Sequence, residues 1–152
     1  MHMSINRNLY GVTSLIFILA SIIIADIELY LDSIYLGIVY SLIIITSNFL
    51  LVYVFCTKCP CKNHCGHIIP GRLALVFTNR KTGPYSKSEI SLTAGLLAVL
   101  IIFPQIWLWK NQQIFWAFWA LVITGTIQIR TVVCRSCDNS FCPVRINTDL
   151  NR

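Results

Sequence analysis

The stretch IYLGIVYSLIIITSNFLLVYVFCTKCPCKNHC, residues 34–65, is uncharged and mostly apolar for 22 residues and then passes without a spacer into a cysteine cluster. About 20 residues of helix cross a hydrocarbon core, so residues 34–55 predict a membrane span. That span delivers Cys56, Cys59, Cys61 and Cys65 to one face of the bilayer. The arrangement recurs further along, where apolar residues 114–133 lead directly into CRSCDNSFC with Cys134, Cys137 and Cys142. Residues 90–109 form a further apolar segment, as do residues 10–25, which can run on through the apolar side chains of IELYL after Asp26. The expected fold is an all-α integral membrane protein with four transmembrane helices. Two helical hairpins each end in a cysteine cluster, and the clusters form a cytoplasmic, metal-binding cap.

Composition supports the class. Of 152 residues, 56% are hydrophobic and 12% charged, a balance outside the range of ordinary soluble domains. No small-x-small cleavage site follows the first apolar segment, so it is expected to be a retained span rather than a signal peptide flanked by Arg7.

Lys and Arg near membrane ends are retained on the cytoplasmic side. In a four-span layout Arg7, Lys58, Lys62, Arg72, Arg80, Lys81, Lys87, Arg135, Arg145 and Arg152 fall on one side. Lys110 falls on the other with Asp26, Glu28 and Asp32. Both termini, the loop 56–89 and the tail 134–152 are thus expected in the cytoplasm, with the spans in an inner or plasma membrane. The formal charge of +6 reads as a topology signal and as contact with anionic membrane lipids. No nucleic-acid recognition module accompanies it.

Local signals refine the outline. Pro70 suits the first turn of a short interfacial helix carrying Leu73, Leu75, Val76 and Phe77 beside Arg72, Arg80 and Lys81, with a loop packed over the bundle as the equal alternative. Ser86 and Glu89 form a capping box that starts the third span near Lys87. Pro104 is expected to kink that span. Trp107, Trp109, Trp116 and Trp119 flank the turn KNQQ, where an outer aromatic belt belongs; a quinone or haem pocket is the sharper reading of the same indoles. Arg130 is expected to snorkel to the cytoplasmic surface.

The cysteines carry the chemistry. Cytosolic thiols serve metals or redox exchange more often than structural disulfides. A C-x2-C turn brings two sulfurs toward one centre, and two such turns complete a four-sulfur site for zinc or iron. Cys56, Cys59, Cys134 and Cys137 form the natural set if the second and fourth spans are neighbours. Cys61, Cys65, His67 and Cys142 would complete a second site, with His64 as a further candidate. Alternatively Cys56, Cys59, Cys61 and Cys65 form a local cluster, though C-x2-C-x-C-x3-C matches neither standard ferredoxin spacing.

The expected function is an iron-sulfur electron-transfer subunit between a cytoplasmic donor and a membrane quinone or partner subunit. A structural adaptor with a zinc cap and a cytoplasmic-face dithiol oxidoreductase are the alternatives. No nucleophile-base constellation, phosphate loop or catalytic carboxylate pair supports a conventional hydrolase or kinase.

Overall fold

The apolar segments form helices, and their ends follow local chemistry. A computed structural model describes residues 2–62, 65–77, 82–135, 137, 139, 141 and 142. His64, Arg80, Lys81, Arg145, Arg152 and the rest of the tail from 143 lie outside the described residues. The described chain is helical: α1 His2–Asp32, α2 Ile34–Val54, α3 Ile68–Val76, α4 Lys87–Ile102, α5 Gln105–Leu108 and α6 Gln112–Gln128. A 3-10 turn covers Cys56–Lys58, and a π-helical turn at Ile129–Val133 extends α6. Four segments are long and apolar enough to cross a membrane: Asn8–Asp32, Ile34–Lys58, Lys87–Leu108 and Gln112–Val133.

The first span does continue past Ala25. Ser41 on α2 donates to both carboxylate oxygens of Asp26 at 3.0 and 3.2 Å, which gives the charge a partner without ending the helix. Ser33, in extended conformation, then reverses the chain. Gly37 lies against the Tyr30 ring, in space that a Cβ would occupy. The third span starts at Lys87 with the capping box complete: the Glu89 N–H donates to Ser86 Oγ, and the Ser86 N–H donates to Glu89 Oε2.

Pro104 interrupts the third span between α4 and α5. Lacking an N–H, proline cannot bond the carbonyl four residues back, which here belongs to Leu100. The buried Tyr40 hydroxyl of α2 donates to that carbonyl at 2.8 Å, so a neighbouring helix satisfies the group that the proline leaves open. Tyr40 also stacks on Phe103 with centroids 5.6 Å apart. Tyr40→Phe should therefore destabilise the α2–α4 contact by about 1–2 kcal/mol. Unfolding in mixed micelles measures this, and an unchanged midpoint would show that the bond contributes nothing.

The helices pack in the order α6, α1, α2, α4, with the first span in the middle. This differs from two closed hairpins. Neither α2 with α6 nor α4 with α6 packs extensively, and the third span meets α6 mainly through α5. The cause lies on α1, where buried Gly11, Ser14, Ser21 and Ala25 make a small-residue face. Small side chains let membrane helices approach closely, and Gly125 of α6 seats against Ile18 and the Ser14 carbonyl. Larger side chains, Leu29, Tyr40, Leu108, Phe118 and Val122, close the core toward the opposite end. There Lys110 pairs with Asp32 at 2.6 Å, and the Asn111 side-chain amide donates to Glu28 at 3.5 Å. Trp109 and Trp116 point outward at this end, as an aromatic belt requires. Trp119 instead turns inward and donates to Gln105 Oε1 at 3.0 Å.

Candidate metal centre

At the other end of the bundle, all seven cysteines line one cavity of about 430 Å³. The convergence does not depend on α2 and α6 touching. Both chain segments that follow them fold back over the N-terminal half of α1, whose Leu15 and Ile18 line the cavity with Ile129 and Val133. Gly11 makes this possible. A Cβ there would overlap the Gly66 carbonyl oxygen, so the loop after the first cluster rests directly on the helix backbone. Gly71 serves similarly at the start of α3, where a Cβ would stand 2.8 Å from Cys65 Cβ.

The two C-x2-C pairs adopt the same turn. Cys59 N–H donates to the Cys56 carbonyl at 3.2 Å, and Cys137 N–H donates to the Cys134 carbonyl at 3.3 Å. The electrostatic neighbours of each thiol cross between clusters: Cys59 faces Cys137 and Cys142, and Cys134 faces Cys65 as well as Cys137 and Cys142. Ahead of the second pair, the Cys134 N–H reaches back to Ile129 at 2.7 Å in the π turn. Such turns recur at functional sites. No disulfide joins any of the seven thiols. Among the described residues, no three His, Cys, Asp or Glu side chains stand close enough to hold a single ion in this arrangement.

His67 also lines the cavity, and its Nδ1 lies 3.1 Å from the Gly11 carbonyl. A carbonyl only accepts, so Nδ1 carries the proton and Nε2 keeps its lone pair. Metal-ligating histidines are held by this kind of second hydrogen bond. Burial lowers the His67 pKa, which favours the neutral ring, while the Gly11 bond opposes the shift.

Burial pushes the Cys134 thiol up to about 11, and neighbouring Cys142, Cys137 and Cys65 add to the rise. Cys59 is also raised by burial; a backbone hydrogen bond from Cys61 and a side-chain one from Asn139 oppose the shift. A thiol at 11 is about 0.1% ionised at pH 8, and the thiolate is the nucleophile. Alkylation of Cys134 in metal-free protein should thus speed up about tenfold per pH unit from 8 to 10. Mass spectrometry of timed quenches checks this, and fast, pH-independent labelling would contradict it.

Of the basic side chains next to the cysteines, Lys58 turns away and pairs with Glu89 at 2.8 Å. Arg135 is exposed, and of Lys58, Lys62 and Arg135 only Lys62 lines the cavity. Arg130 is exposed.

A scan against protein-family models, a search of curated proteins and a search of solved structures return no match.

Two side chains beside the site escaped sequence reasoning. Tyr85 stacks on Phe55 with centroids 4.5 Å apart and donates to the Phe55 carbonyl at 3.2 Å. Asn139 is buried, and its Nδ2 donates to Cys59 Sγ at 3.4 Å. The polar run around Asn139 reads in sequence as a spacer between Cys137 and Cys142. The Gly11, Ser14, Ser21, Ala25 stripe was a usable signal for the central position of α1.

Proposed function

We propose that this chain is a membrane-embedded metal-binding protein that serves electron transfer through an iron-sulfur centre. The electron donor is cytoplasmic, and the acceptor is a membrane quinone or a partner subunit. The observation that carries the reading is one cavity lined by every cysteine of both clusters together with His67. Soft thiolates select zinc and iron-sulfur clusters. A zinc ion and an iron-sulfur cluster each take four such ligands, and a multi-iron cluster occupies more of about 430 Å³. Such a centre supplies one-electron chemistry, with a potential set by hydrogen bonds to sulfur and by exposure.

The cytoplasmic assignment is supported by Lys58, Lys62, Arg72, Lys87 and Arg135 in the segments next to the cysteines, against Lys110 at the opposite end. Exposed Ile69, Leu73, Leu75 and Val76 beside exposed Arg72 support α3 as a helix at the cytoplasmic leaflet, against anionic lipid.

A zinc cap on an adaptor protein is the second reading, favoured by the matching C-x2-C turns, which suit one tetrahedral ion between the clusters. The raised pKa values of Cys59 and Cys134 weigh against a dithiol exchanger, which needs a thiolate at working pH.

Anaerobic purification in detergent, followed by an absorption spectrum and analysis for iron, zinc and acid-labile sulfide, separates these readings. Iron with matching sulfide and a reducible visible band is expected. Stoichiometric zinc in colourless protein would overturn the electron-transfer role in favour of the adaptor. Protein purified without metal, with no iron uptake on reconstitution, would overturn both.

A further inference from the structure

We infer that Asn139 is a positioning residue of the metal centre, whose side-chain amide donates to Cys59 Sγ and ties the first cysteine cluster to the second. The inference rests on the metal-binding reading above. The orientation of the amide follows from its other bond: the Phe141 N–H donates to Asn139 Oδ1 at 3.0 Å, which makes that atom the oxygen. Nδ2 is left facing Cys59 Sγ at 3.4 Å.

Asn139 is 1% exposed, and a buried amide donor left without an acceptor is costly. The sulfur fills that role. The main-chain carbonyl of the same residue accepts from Cys142 N–H at 3.4 Å, so Asn139 contacts Cys59 through its side chain and Cys142 through its backbone. It thereby ties Cys59 to a residue 80 positions away in sequence, at the place where the two clusters meet.

A thiolate accepts hydrogen bonds more strongly than a thiol, because bonds to a charged acceptor are the strong ones. The Asn139 bond therefore strengthens when Cys59 becomes a metal ligand. It orients the sulfur and withdraws electron density from it, as outer-shell partners of metal ligands do.

The test titrates the detergent-solubilised full chain with cobalt(II), whose thiolate-to-metal absorption band reports both affinity and the donor strength of sulfur. Asn139→Asp keeps the oxygen that accepts from Phe141 and lacks the N–H. Asn139→Leu removes both. Asp adds charge and Leu opens the turn, so the lost donor is the only defect they share. Both are expected to weaken cobalt binding about 10- to 100-fold and to move the band to longer wavelength, with gel-filtration profiles like that of the parent protein. If Asn139→Asp behaves like the parent, Asn139 only closes the turn, and the inference fails while the metal reading stands. If both variants behave like the parent, it fails likewise. If the parent protein itself develops no thiolate-to-cobalt band, the metal reading falls and takes the inference with it.

Discussion

Replacing Cys59 and Cys137 together by Ser should, on the metal-binding reading proposed above, abolish thiolate-bound metal, with affinity falling at least about a hundredfold, since each C-x2-C turn loses one soft ligand. The pair is informative because Cys59 and Cys137 come from different clusters and are electrostatic neighbours in one cavity. If the clusters form a shared centre, either single variant should already cost most of the affinity, and the double variant should cost much less than the sum. Contacting residues in one network are non-additive in this way. If each cluster held its own ion, the two losses would be independent, and Cys59→Ser would leave half the metal in place. Metal-to-protein ratios on the two single variants decide between these outcomes.

Gly11→Ala is the second large effect. The added Cβ would enter the space of the Gly66 carbonyl oxygen, and neither partner can yield by changing a rotamer, because both are backbone. Overpacking a tight contact costs about 1–3 kcal/mol; here the strain should appear as displacement of the loop from α1. We expect a drop of about that size in unfolding free energy, together with weaker metal uptake and loss of the His67 bond to the Gly11 carbonyl. Gly95→Ala on α4 is the control, because a Cβ there meets nothing within 4 Å. It should be neutral or slightly stabilising, as expected where alanine replaces glycine within a helix. Equal behaviour of the two variants would show that the Gly11–Gly66 approach is not a constraint.

The spans were legible because a bilayer imposes length and apolarity, and few soluble arrangements mimic 22 uncharged, mostly apolar residues in a row. The start at Lys87 and the break at Pro104 were equally legible, since a capping box and a missing N–H act locally. Helix neighbours were not. A sequence states which residues are small but not which other helix will use them, and the α1 stripe could have received any of the other three spans. The meeting of the cysteines was expected through α2 and α6 as neighbours; it arises through the backbone of α1 instead. Asn139 was passed over because one amide between two polar residues carries no signal until burial removes its alternative, water.

The middle position of α1 also has a consequence for biosynthesis. Helix α1 is made first, yet its largest interface is with α6, the last span to leave the ribosome. Contacts between distant parts of a chain form late. Through most of synthesis, therefore, the small-residue face of α1 lies against lipid or a chaperone, and Cys56, Cys59, Cys61 and Cys65 wait without Cys134, Cys137 and Cys142. On the proposed metal reading, a centre that draws on both clusters can be completed only after the fourth helix has been made.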